Sequence, residues 1–259
     1  MSAPIQLEER GHVAIITINN PPANTWTRES LADLAETVER LNQDKDIFAL
    51  VVTGQGEKFF SAGADLNAFA DGDIGQAAIM AKAFGNAFEA LTNFRGVSIA
   101  AINGYAMGGG LECALACDIR IAEEQAQMAL PEARVGLLPC AGGTQNLPWL
   151  VGEGWAKRMI LCGERVTAER AQQIGLVEEV VGKGEAFGKA LELAEMACQQ
   201  SPSSTARCKS LVMSARDGRS HRDGWRLERE LFVELFSTED QREGVNAFLE
   251  KRSPQWKNR

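Results

Sequence analysis

Apolar positions along the chain follow two alternating periods. Residues 5–10 and 12–19 carry β-branched side chains on either side of Gly11 and predict two strands joined as a hairpin. The run Asn20-Pro21-Pro22-Ala23-Asn24 ends it. Leu31, Leu34, Val38 and Leu41 then recur at helical spacing behind Thr27, a residue type that caps helix starts. Residues 47–53 and Val97–Ile102 are apolar almost throughout, the pattern of strands buried on both faces. Between them, residues 76–94 read as an amphipathic helix. Strands alternate with helices to about residue 140, which predicts an α/β core. Beyond it the pattern is helical, over 143–150, 155–161, 168–174, 185–199, 203–215, 225–236 and 242–251. Thr167 and Ser201 stand as caps, with Pro202 in a first turn. The polar tail 253–259 is expected to fray.

One stretch, residues 100–143, departs from simple alternation. A short apolar run leads into glycines 104, 108, 109 and 110, which open directly into another apolar run containing Glu112. Glycine allows close backbone approach, and a helix that starts on such a turn leaves N–H groups free, with the positive end of its dipole behind them. A helix beginning near Gly109 sets Glu112 one turn above those donors on the same face. Each piece alone reads as a tight turn or a favourable first-turn acid. The second half of the stretch shifts that reading: Glu132 follows Pro131, and a second glycine turn, Ala141-Gly142-Gly143, comes after a short extended segment. Residues 58–67 add a third candidate, a strand end followed by small residues 61–64 and Asp65. That segment reads either as a tight loop or as the source of a second oxyanion donor, the Ala64 N–H beside that of Gly109.

Length and charge narrow the class. The 259 residues suffice for one large domain or a domain with an appended subdomain. A net charge of −8 with no basic stripe argues against a nucleic-acid surface. No signal-peptide pattern and no bilayer-length apolar run are present, so a cytoplasmic protein without membrane contact is expected. Six cysteines without a C-x-x-C pattern read as buried free thiols, and no metal site is expected. The two histidines, His12 and His221, fall at a strand start and in a polar turn, which makes a histidine triad a poor fit.

The segments 59–66 (FFSAGADL), 101–118 (AINGYAMGGGLECALACD) and 131–147 (PEARVGLLPCAGGTQNL), with the ending 238–252 (TEDQREGVNAFLEKR), closely resemble the crotonase superfamily, enoyl-CoA hydratases in particular. The resemblance runs in order over nearly the whole chain. It implies a spiral of ββα turns over residues 1–200, with a helical region, 201–259, that covers the site and builds a homotrimer, two of which commonly stack into a hexamer.

For the chemistry, the resemblance places the oxyanion hole at Ala64 and Gly109. It makes Glu112 the group that activates water and Glu132 the proton donor to C2, in reversible syn hydration of a trans-2-enoyl-CoA. Coenzyme A is then part of the substrate and no separate cofactor is implied. Its recognition falls to Ala62, Asp65 and Leu66, with Lys58 as a phosphate neighbour, while Phe248 and Lys251 match positions that reach the CoA of an adjacent subunit. Double-bond isomerisation, dehydration of a specialised hydroxyacyl-CoA, and a non-catalytic acyl-CoA-binding subunit stand as alternatives. Four departures bear on acyl preference and CoA affinity: Asn67 where a lysine is frequent, Asn24-Thr25-Trp26 for Asn-Ala-Leu, Asn146 for an arginine, and Cys140 beside the pocket. Trp26, Met80, Phe84 and Trp149 read equally as pocket or as core.

Overall fold

The structure is a computed structural model and describes residues 3–259. Strands β1 (Ile5–Arg10) and β2 (Val13–Ile18) form the expected antiparallel hairpin around Gly11, whose φ is +59°. Helix α1 (Arg28–Gln43) follows, its start closed by reciprocal bonds in which Ser30 N–H donates to Thr27 Oγ1 and Thr27 N–H donates to Ser30 Oγ. Leu31, Leu34, Val38 and Leu41 are its buried face.

From there each turn of the chain lays down two strands and a helix. The pairs are β3 (Ala49–Gly54) with β4 (Phe59–Ser61), β5 (Val97–Ile102) with β6 (Tyr105–Met107), and β7 (Ile119–Glu123) with β8 (Gln127–Ala129). The first strand of each pair joins a six-stranded sheet, completed by β10 (Glu179–Val181), in the order β1-β2-β3-β5-β7-β10. The second joins a four-stranded sheet, completed by β9 (Val166–Thr167), in the order β4-β6-β8-β9. Helix α2 (Ile74–Thr92) follows the first pair and α3 (Gly109–Ala116) the second. Successive turns therefore stack, and the exits of β4, β6 and β8 lie side by side. This is a spiral α/β core, as the resemblance implied.

The main core lies between the large sheet and the helices, and a smaller one lies on the sheet's outer face. There Ala190 and Ala194 of α6 (Ala186–Cys198) let the helix sit close on Ile15, Val51, Ile99 and Ile121. Alternate residues of β2 and β3 enter each core, which explains their continuous apolarity.

The segments 143–150 and 155–161 are two helical stretches, as expected; they abut at Gly152, where φ is 75° and ψ is 161°, and are labelled together α4 (Gly143–Leu161). After α5 (Ala168–Gln173) and α6, helices α7 (Pro202–Arg216), α8 (His221–Leu235) and α9 (Glu239–Glu250) complete the chain. Several expectations change. His221 opens α8 instead of lying in a turn. The tail is docked: buried Asp240 accepts from Lys257 N–H (2.8 Å) and Asn258 N–H (3.1 Å), and Trp256 Nε1 donates to Gln199 O (2.9 Å). The cysteines are not uniformly buried. Cys113 and Cys117 are, but Cys140, Cys162 and Cys208 are exposed and Cys198 is half-buried. Among the described residues no helix is long and apolar enough to cross a membrane.

Candidate active site

Three successive strand exits build one corner. After β4, the loop 61–65 is held from behind by α1's entry segment: Ala62 N–H donates to Ala23 O (2.9 Å), Trp26 N–H to Gly63 O (2.8 Å), and Asp65 N–H to Trp26 O (3.0 Å). After β6, Gly108 adopts φ +54°, ψ −126°, and turns the chain into α3. The two exits touch. A Cβ built on Gly63 would come within 3.2 Å of the Gly109 nitrogen, and one on Gly110 within 2.2 Å of Ser61 O. The glycines at 63 and 110 are therefore what permits the approach. Neither Ala64 N–H nor Gly109 N–H donates to a group of the described residues, and the second stands at a helix N-terminus. Two free backbone donors are thus brought together.

Both glutamates join them in a cavity of about 320 Å³, whose apolar wall includes Leu66, Phe69, Phe84, Met107 and Leu138. Glu112, 2 % exposed, rises from the first turn of α3. Its Oε1 accepts from Ala141 N–H (2.8 Å) and Gly143 N–H (2.9 Å), donors at the start of α4. Burial pushes its carboxyl up, and the backbone N–H groups of Gly143, Ala141 and Cys140 oppose that push. Glu132 sits at the third exit, in a short 3₁₀ turn (Glu132–Val135) that opens the segment leading to the turn at 141–143. Both its carboxyl oxygens are buried without a hydrogen-bond partner among the described residues. A Cβ on Gly108 would come within 3.2 Å of Glu132 Oε1. Burial, countered in part by its own backbone N–H and reinforced by the charge of Glu112, pushes the Glu132 carboxyl up to about 7. One acid is thus held by two donors, while burial favours the protonated form of the other.

The remaining candidates divide. Ala62, Ala64, Leu66 and Gly109 line the same cavity. Asp65 caps the short 3₁₀ turn Leu66–Phe69, accepting from Asn67 N–H (3.0 Å) and Asn67 Nδ2 (2.8 Å), which occupies its carboxylate within the loop. Lys58 lies outside the cavity, with Nζ 5.4 Å from the Phe59 ring centre. Phe248 and Lys251 are on α9 and its C-cap, away from the cavity, and Phe248 is 83 % exposed. Of the four ambiguous apolar residues, Phe84 lines the cavity, Trp26 and Met80 are buried core, and Trp149 is exposed. Sequence reasoning missed Arg134 and Arg165 at the cavity rim. Their signal was present as cations close to Glu132 in sequence and in the β9 approach. Cys140 joins the rim too, where desolvation and the charges of Glu112 and Glu132 push its thiol up to about 11.

A ββα spiral whose stacked strand exits converge on free backbone donors defines the crotonase fold class. The chain belongs to the enoyl-CoA hydratase/isomerase family, whose model matches residues 8–259. It is 40% identical to the 2,3-dehydroadipyl-CoA hydratase of Escherichia coli strain K12, over 95% of this chain and 96% of that protein. Its fold superposes on Pseudomonas aeruginosa DspI with a TM-score of 0.95 and 68% identity, covering 98% of this chain and 97% of that one. An enoyl-CoA hydratase from Bacillus anthracis matches with a TM-score of 0.94 and 35% identity, covering 99% and 100% of the two chains.

Proposed function

We propose that the protein is an enoyl-CoA hydratase that adds water reversibly across a trans-2-enoyl-CoA. The observation that carries this reading is the pair Glu112 and Glu132, one anchored by backbone N–H groups and the other without a hydrogen-bond partner among the described residues, in one cavity with two unoccupied backbone donors. Glu112, anchored through Oε1, takes a proton from water as the water oxygen bonds to C3. The C2=C3 π pair moves toward the thioester carbonyl, and the resulting oxyanion accepts from Ala64 N–H and Gly109 N–H. The enolate then collapses and C2 takes the proton of Glu132. Main-chain donors suit this step because they cannot be titrated away, and each contributes about 3–4 kcal/mol to such a transition state. No resident cofactor takes part. CoA is substrate, held at Ala62, Asp65, Leu66 and Lys58, with Phe248 and Lys251 supplied by an adjacent subunit of a trimer or a hexamer.

The test is the fall in conjugated-thioester absorbance with crotonyl-CoA and a longer trans-2-enoyl-CoA. Wild type is expected to turn over, and Glu112→Gln and Glu132→Gln each to lose about 10²–10⁴-fold or more. A wild type that binds the thioester without adding water sinks the hydratase reading and leaves isomerisation of a 3-enoyl-CoA, dehydration of a specialised hydroxyacyl-CoA, or binding alone.

A second reading concerns the acyl group. Arg134 and Arg165 line the cavity, and neither forms an ion pair among the described residues, which favours an acyl chain ending in a carboxylate. The E. coli relative named above carries such a substrate in its name. Arg134→Ala is then expected to raise KM for a dicarboxylic enoyl-CoA but not for crotonyl-CoA. Equal effects on both would refute it.

A further inference from the structure

We infer that Trp26 is a positioning residue that locks the two oxyanion donors to each other. The inference rests on the hydration reading above. Trp26 is joined to the first donor loop by its main chain. Its N–H and carbonyl bond to Gly63 O (2.8 Å) and Asp65 N–H (3.0 Å), the residues on either side of Ala64, in a single parallel bridge. In that pattern the intervening residue keeps its own N–H on the opposite side of the strand, free for another acceptor.

The side chain of Trp26 reaches the second donor. A Cβ built on Gly109 would lie 3.4 Å from Trp26 Cδ1 and 2.8 Å from Phe84 Cε1, so the indole and that phenyl ring back the first residue of α3. The rings form a continuous support: Trp26 stands edge-on to Phe88 (centroids 5.5 Å apart, planes at 71°), and Phe88 edge-on to Phe84 (5.7 Å, 74°). Trp26 is fully buried, and its Nε1 has no hydrogen-bond partner among the described residues. An unpartnered buried donor is a cost that leucine or phenylalanine at this place would not carry. What the indole contributes here is therefore shape: one residue spans the gap between the Ala64 loop and Gly109.

Donor placement matters steeply, because a displacement of about 1 Å at a reacting centre costs on the order of 100-fold in rate. Trp26→Leu keeps the main-chain groups that bond Gly63 and Asp65 but removes the ring that backs Gly109, so the spacing of the two donors is free to change. The expected result is a kcat about 10–100-fold lower with KM within about threefold, since the change falls on the transition state. The direct readout needs no turnover. An enoyl-CoA with an aryl group conjugated to the double bond absorbs at longer wavelength when its carbonyl is polarised, so its red shift on binding reports the donors themselves. Trp26→Leu is expected to bind the probe with a smaller shift and an unchanged far-UV circular dichroism spectrum, and Trp26→Phe to recover part of the shift and rate.

A folded Trp26→Leu protein with wild-type shift and kcat overturns the proposal. If that variant does not fold, Trp26→Phe and Trp26→Met are read by the same two measurements, and wild-type values in both overturn it equally. A wild-type protein that gives neither red shift nor hydration instead defeats the hydratase reading, which keeps the two failures apart.

Discussion

Glu112 and Glu132 are the same side chain in two surroundings, and the difference is which groups reach their oxygens. Two N–H donors at a helix start hold one oxygen of Glu112, whereas neither oxygen of Glu132 has a well-formed hydrogen bond among the described residues. Glu132 therefore holds its proton more tightly in the folded protein than in the unfolded chain, about 7 against an ordinary 4.5. Its contribution to stability is fully present below the unfolded value and is lost as pH rises through about 7. Glu132→Gln removes that loss. At pH 8 the variant should be more stable than wild type in urea by on the order of 2–3 kcal/mol, and the gap should close by pH 4. A gap that does not change with pH would contradict the account. Hydration by wild type should lose kcat/KM above about pH 7, where Glu132 is ionised. Gly143 offers a second test. A Cβ there would lie 2.9 Å from Glu112 Oε1, 2.9 Å from Pro139 Cβ and 3.0 Å from Leu130 Cδ1. Gly143→Ala should displace the Glu112 carboxyl and lower kcat about 10–100-fold while substrate still binds. Unchanged kcat would show that the anchor is dispensable. At this scale the sequence revealed the two acids and the glycines but not their partners. Ala141 and Gly143 lie about thirty residues beyond Glu112, and nothing in local pattern tells which carboxyl such donors will meet.

The elements that sequence pattern missed are the short ones. Strands β8, β9 and β10 have only 3, 2 and 3 residues, too few for a period to register. They exist because neighbouring turns of the spiral offer hydrogen-bonding edges. The long apolar strands β3 and β5 and the helix starts capped by Thr27, Thr167 and Ser201 were legible, since burial and capping leave local marks. How the C-terminal helices attach to the core was not legible. Much of that attachment runs through Lys209 of α7, whose Nζ donates to Phe94 O (2.6 Å), Gly96 O (3.1 Å) and Asp118 Oδ2 (2.7 Å). Asp118 in turn accepts from Ser98 N–H and Oγ, which ties this joint to β5. Lys209→Met removes the cation and leaves those acceptors without it, at a cost of about 1–3 kcal/mol. Because the loss falls on one attachment, hydrogen exchange in α7 and α8 should quicken before exchange in β3 or β5 does. Uniform quickening, or none, would rule out Lys209 as the joint.

On the scale of the whole molecule, the C-terminal helices carry a large share of the exposed apolar side chains. Helix α8 buries none of its residues, yet it is amphipathic, and Trp225 and Phe232 are 60% and 62% exposed. Phe236, Phe248 and Leu249 add further exposed apolar surface nearby in sequence. Leaving apolar side chains in such number in water forfeits roughly 25 cal/mol per Å², which favours covering them. Sequence pattern showed the amphipathic period but could not show that no element of the same chain fills that face. We propose that the chain self-associates through α8. Wild type should sediment at three or six times its 28.1 kDa, while Phe232→Asp, which puts a charge into the apolar face, should shift the mass toward one chain. The consequence for activity is specific. If Phe248 and Lys251 complete the CoA site of a neighbour, dissociation should raise KM for crotonyl-CoA, and crotonyl-pantetheine, which lacks the nucleotide, should respond far less. A monomeric variant with wild-type KM for both substrates would leave the site complete within one chain, and would reduce the exposed α9 residues to interface alone.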